Sequence, residues 1–168
     1  MANLFEEGAP FPRFELPSLA LRDGQKIERA VSNETLRGTP FVLWVYPKNA
    51  TPGCTLEANE FAALHRQFQA QGVEVVGLSR DTLGSHARFC GAQELPFALL
   101  SDKDGVWLRE HGLIFDAQMY GKPVTKVRRT TFWVDREGIL RRMWHDVSPE
   151  GHAALVLEAV KAGERGDG

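Results

Sequence analysis

The chain is expected to fold as an α/β protein, a three-layer α/β/α sandwich around a mixed central sheet. Three observations predict this. A continuous apolar run, Phe41 to Tyr46, reads as a strand covered on both faces, and Val73 to Leu78 reads as a second buried strand. Helical patterns follow each strand, and strand–helix alternation implies parallel strands joined by right-handed crossovers. Near the end, Thr130 to Val134 and Ile139 to Trp144 flank Asp135-Arg136-Glu137-Gly138, which makes an antiparallel hairpin and mixes the sheet.

In order along the chain, Phe14 to Leu19 and Gln25 to Glu28 read as short strands joined at Asp23-Gly24. Ser32 to Arg37 reads as a short helix with Ser32 as N-cap and Gly38 as its stop. After the first apolar run, a helix is expected from Cys54 to Ala70. In it Phe61, Leu64, His65 and Phe68 fall on one face, and Gly72 ends it. Thr82 to Gln93 reads as a second helix carrying Cys90. Pro96 introduces a short strand, Phe97 to Leu100, and Val106 to His111 reads as one or two helical turns. A closing helix covers Pro149 to Ala162, with Leu155, Val156, Ala159 and Val160 on one face, and Gly163 to Gly168 reads as a frayed tail. No linker, repeat or low-complexity stretch divides the 168 residues, so residues 1–168 are read as one domain.

Composition narrows the function. Hydrophobic residues make up 43% and charged residues 25%, as in ordinary globular proteins. A net charge of −2 gives no reason to expect nucleic acid or an anionic membrane as partner. The apolar runs are too short to span a bilayer. Met1 to Pro12 lacks the basic start and apolar stretch of a signal peptide, which leads to the expectation of a cytoplasmic location. The two cysteines are too few for a structural disulfide framework or a zinc site, and the five histidines lack ligand spacing, so no metal is expected.

Cys54 is the most informative residue. It stands in Pro47-Lys48-Asn49-Ala50-Thr51-Pro52-Gly53-Cys54, between a buried strand and an amphipathic helix. At a strand-to-helix junction the backbone N–H groups are unpaired and the helix dipole is positive. Both favour the thiolate, the form that reacts.

The string Pro47-x-x-x-Thr51-x-x-Cys54 resembles the active-site signature of peroxiredoxins. With Tyr46-Pro47-Lys48 before it and Thr55-x-Glu57-Ala58 after it, it is similar to the bacterioferritin comigratory protein, or peroxiredoxin Q, branch. Leu95-Pro96-Phe97, Leu100-Ser101-Asp102, Tyr120-Gly121-Lys122 and Arg129-Thr130-Thr131-Phe132 follow in the expected order, so the resemblance covers nearly the whole chain. It implies a thioredoxin-like fold and reduction of hydrogen peroxide and organic hydroperoxides, with no cofactor. It implies Cys54 as nucleophile and Thr51, Pro47 and Arg129 as its partners. Arg128 is the neighbour with which Arg129 is confused, but the Arg-x-Thr-Phe register favours Arg129.

The chemistry suits these roles. A free thiol with a pKa of about 8.5 is only a few per cent thiolate at neutral pH. Arg129 stays charged and offers a fork of donors. Thr51 can accept from the peroxide. The Gly53 and Cys54 amides can face developing negative charge. Pro47 can shield the sulfur without competing for hydrogen bonds. Glu57, one turn after Cys54, either pairs with Arg129 and orients it or simply favours the helix start as an acid.

Many members of the branch carry a resolving cysteine five residues after the nucleophile, where this chain has Asn59. Other members place it in the helix after the second core strand, and by that resemblance Cys90 is the resolving residue. The alternative is a buried cysteine in a one-cysteine enzyme. Resolution through Cys90 requires local unwinding of the turn after Cys54, of the helix holding Cys90, or of both, and Gly84 and Gly91 would ease it. The implied reductant is thioredoxin or another dithiol, and the expected state is a monomer. A thiol–disulfide oxidoreductase would carry Cys-x-x-Cys, which is absent. A non-enzymatic redox sensor and a holdase or structural oligomer are the other rivals.

Overall fold

The computed structural model describes residues 5–163, and the residues beyond Gly163 that were expected to fray lie outside the described part. Its core is a seven-stranded sheet in the order β2-β1-β5-β4-β3-β8-β9. The strands are β1 (Glu15–Arg22), β2 (Gln25–Ser32), β3 (Phe41–Val45), β4 (Glu74–Ser79), β5 (Ala98–Ser101), β8 (Thr130–Val134) and β9 (Leu140–His145). β3, β4 and β5 run parallel, while β1, β2, β8 and β9 pair antiparallel, so the sheet is mixed as expected. β6 (Ile114–Met119) and β7 (Lys122–Val127) form a separate two-stranded hairpin.

The helices are α1 (Pro52–Ala63), α2 (His65–Ala70), α3 (Leu83–Gln93), α4 (Val106–Glu110) and α5 (His152–Lys161). Alternation along the buried strands sorts the core into two halves. Val42, Trp44, Val75 and Trp133 join Cys54, Phe61, Phe68, Phe89 and Val156, on the face covered by α1, α2, α3 and α5. Phe41, Leu43, Val45, Val76, Leu78, Phe132 and Val134 join Trp107 and Leu108 of α4, with Phe5, Phe11 and Phe14 of the N-terminal segment. The third layer is therefore thin: one short helix and a cluster of aromatic rings.

Several local expectations are corrected. Residues 33–38 make turns rather than a helix. Ser32 still caps, but it caps a turn: its Oγ accepts from Thr35 N at 3.2 Å. The long helix expected to Ala70 breaks at Leu64 into α1 and α2. Phe61 and Phe68 stay buried together on either side of the break, which contains neither proline nor glycine. α5 starts three residues after Pro149, and Leu155 is exposed while Leu157 takes the buried place. The β6–β7 hairpin was not anticipated. Its strands are mostly exposed, and Pro123 stands within the second. The signal that could have found it is Tyr120-Gly121, both left-handed at φ 54° and 78°, the geometry of a tight hairpin turn.

Candidate active site

The parallel strands β3, β4 and β5 end on the same side of the sheet, where open α/β folds place their ligands. The loop after β3 leads into α1, whose N-cap is Thr51 and whose first residue is Pro52, a residue pre-set for that position. Thr55 N closes the first helical bond to Thr51 O at 2.8 Å, so the Gly53 and Cys54 amides come before any i−4 acceptor. Cys54 is buried at this helix start, and its thiol is free.

The structure brings Arg129 to it from the residue preceding β8. Arg129 Nη2 donates to Cys54 Sγ at 3.5 Å, and Nη1 donates to Glu57 Oε1 at 2.6 Å. Of the two roles open to Glu57, the ion pair with Arg129 is the one built here. Burial works against the Arg129 charge, but Cys54 and Glu57 outweigh it and raise its pKa. Burial pushes Glu57 up to about 7 even though Arg129 pulls the other way. Gly53 is matched to this approach: a Cβ there would stand 3.3 Å from both Arg129 Nη2 and Pro149 Cγ. Pro149 thus walls the site from the β9–α5 loop, a residue that sequence reasoning placed inside the last helix.

Thr51 does not cap α1 with its side chain. Its hydroxyl donates to Lys48 O at 2.8 Å, which leaves its lone pairs to accept. Pro47 is partly buried at the end of β3. It lines a cleft of about 560 Å³ with Lys48, Arg80, Lys103 and Lys126. Cys90 lies in the last turn of α3, buried, unbonded and in the same core half as Cys54. Burial pushes its thiol up to about 12, which disfavours the thiolate while α3 is intact. His65 is partly exposed and lies against Phe97, a packing role. His152 is buried with Nε2 2.7 Å from Thr131 Oγ1; burial, with Arg129 adding, lowers its pKa to about 4. Sequence reasoning also passed over Asn49, which is buried and hydrogen-bonded into the β4–α3 junction. It stood in a variable position of the motif and carried no signal of its own. Among the described residues no three His, Cys, Asp or Glu side chains cluster to hold a metal, and no helix is long and apolar enough to cross a membrane.

Comparison with known proteins finds relatives along most of the chain. The sequence profile of the AhpC/TSA family matches residues 8–143. A peroxiredoxin Bcp of Xanthomonas campestris is 40% identical over 156 residues, covering 91% of this chain and 92% of that protein. A putative peroxiredoxin bcp of Coxiella burnetii is 38% identical over 152 residues, 90% of this chain and 96% of its own length. Among solved structures, the X. campestris bacterioferritin comigratory protein, studied for alkyl peroxide reduction in trapped intermediate and ligand complexes, aligns with a TM-score of 0.76. It is 37% identical and covers 89% of this chain and 92% of that one.

Proposed function

The chain belongs to the AhpC/TSA family as a thioredoxin-fold thiol peroxidase, and on that premise we propose that Cys54 reduces peroxides and Cys90 resolves the product. The observation that carries the assignment is the Glu57–Arg129–Cys54 chain of contacts at the start of α1. The Cys54 thiolate attacks one peroxide oxygen and the O–O bond breaks. Cys54 becomes a sulfenic acid, and the departing hydroxide or alkoxide takes a proton to leave as water or alcohol. Arg129 Nη2 and the Gly53 and Cys54 amides face the charge that spreads over sulfur and oxygens. Thr51 accepts the peroxide's hydrogen bond, and Pro47 screens the sulfur from water.

The Cys90 thiolate then attacks the sulfenic sulfur, the S–S bond forms as the S–O bond breaks, and the departing hydroxide takes up the proton that Cys90 released and leaves as water. A dithiol, thioredoxin first among the candidates, restores both thiols by exchange. One observation favours Cys90 over a one-cysteine cycle. The two cysteines replaced by serine in the X. campestris peroxiredoxin Q structures are 36 positions apart, as Cys54 and Cys90 are. Alkyl hydroperoxides stand beside hydrogen peroxide as substrates, by analogy with the activity studied in the X. campestris protein. The proposed working form is a cytoplasmic monomer, and sedimentation of the reduced protein tests the oligomeric part.

Intact mass and free-thiol count after one equivalent of hydrogen peroxide test the cycle. Wild type is expected to lose two hydrogens and both thiols within the monomer, while Cys90→Ser gains oxygen on Cys54. Oxygen on Cys54 with Cys90 still free in wild type would make this a one-cysteine enzyme. Sustained turnover with thioredoxin and its reductase separates an enzyme from a redox sensor that passes its disulfide to a partner.

A further inference from the structure

Between the loop that carries Cys54 and the helix that carries Cys90 lies a buried polar joint that peroxide chemistry does not use. Asn49 is its centre. Its Oδ1 accepts from Tyr46 Oη at 2.6 Å, and its Nδ2 donates to Ser85 Oγ at 3.0 Å and lies 3.0 Å from His86 Nδ1. Its backbone N–H donates to Asp81 Oδ2 at 2.9 Å. The far side is anchored in turn. His86 Nε2 lies 2.9 Å from Leu100 O, Ser79 Oγ donates to Asp81 Oδ2 at 2.7 Å, and Ser101 Oγ donates to Asp81 O at 2.6 Å. With Nε2–H given to Leu100, the neutral His86 ring presents Nδ1 as the acceptor for Asn49. Asn49, His86 and Tyr46 are buried, so bonds broken here are not replaced by water unless the segments part.

The joint has the spacing of the disulfide. Asn49 and Ser85 are 36 residues apart, each five residues before one of the two cysteines. The same two segments are therefore held together without a covalent bond in the dithiol state and are joined by one after oxidation. Ala50, next to Asn49, sits at φ 64°, a left-handed conformation that an L side chain adopts at a cost. The loop is thus clamped at Asn49 and strained at the neighbouring residue, so opening the clamp lets Ala50 relax.

We propose that Asn49 is a positioning residue for resolution: it clamps the Cys54 loop to the first turn of α3 and sets how often the two segments open together for Cys90 to reach Cys54. The proposal rests on the Cys54–Cys90 cycle above. In that cycle the Cys54 sulfenic acid has two fates. Cys90 condenses with it, the thiol proton and the sulfenic hydroxide leaving together as water, to give the disulfide, or a second peroxide oxidises it to sulfinic acid and is itself reduced to water. A looser clamp favours the first fate and a tighter one the second.

The test is the disulfide-to-sulfinate ratio, by intact mass, across a series of hydrogen peroxide concentrations. Asn49→Ala is expected to raise this ratio about fivefold, the effect of losing about one net buried hydrogen bond. Ala50→Gly, which removes the strain and leaves the clamp, is expected to lower it by a similar factor. Leu140→Ala, buried on the opposite face of the sheet, lowers global stability and is expected to leave the ratio unchanged. Amide exchange in reduced Asn49→Ala should quicken together in residues 47–54 and 82–90, with the sulfenic-acid formation rate held within about twofold of wild type. A ratio equal to wild type in Asn49→Ala, or the same sign of change in both loop variants, would overturn the clamp. Absence of any Cys54–Cys90 disulfide in wild type would instead overturn the cycle beneath it.

Discussion

Glu57 shares Arg129 with Cys54, yet its side chain has no exposed surface and its Oε2 has no hydrogen-bond partner among the described residues. Only one of its two oxygens is compensated, so burial raises its pKa to about 7 from 4.5. The folded protein therefore binds the Glu57 proton more tightly than the unfolded chain does. The stability this contributes is fully present below about pH 4.5 and is lost as pH rises through about 7. Glu57→Gln removes the titration while keeping an acceptor for Arg129. The wild-type unfolding free energy minus that of the variant is expected to fall between those two pH values, read by urea titration at each pH; parallel curves would refute it. The meeting of Arg129 with Cys54 was legible in the sequence because motif and register mark both residues. The unpartnered Glu57 oxygen was not, because pairing in three dimensions decides it.

α3 is the element on which the proposed resolution depends, and its ends are built unequally. Thr82 Oγ1 accepts from Ser85 N at 3.1 Å, a sound N-cap. At the other end Glu94 is the C-cap at φ 53° and donates its N–H to Cys90 O, where glycine would carry no penalty. Glu94→Gly is expected to stabilise the reduced protein by about 1 kcal/mol, measured by urea unfolding; no gain would mean that the Glu94 backbone is unstrained. The helix itself was readable from Thr82 to Gln93 because cap and period agree. The break at Leu64 was not, since Phe61 and Phe68 satisfy one apolar face with or without it. The β6–β7 hairpin escaped for the opposite reason: lying off the main sheet, it buries too little to show alternation.

Across the molecule, Gly77 of β4 is where the sheet makes room for the active-site half of the core. It pairs with Trp44 on one side and Leu99 on the other. A Cβ at that position would lie 2.8 Å from Leu99 Cδ2 and 3.0 Å from the Trp44 ring, which stacks on Tyr46 and Phe61. Gly77→Ala is expected to cost about 1–3 kcal/mol by overpacking, seen as a lower urea midpoint; an unchanged midpoint would mean that the indole shifts freely. The sequence alone determined the α/β class, the mixed sheet and the place of Cys54 at the start of a helix, because periodicity and a local motif are written in consecutive residues. The tertiary structure alone decided that Glu57 completes the Arg129 fork, that Pro149 walls the site and that Asn49 joins the two cysteine-bearing segments. Each is a contact between residues far apart in the chain, and such contacts exist only once parallel strands have brought their ends to one side of the sheet.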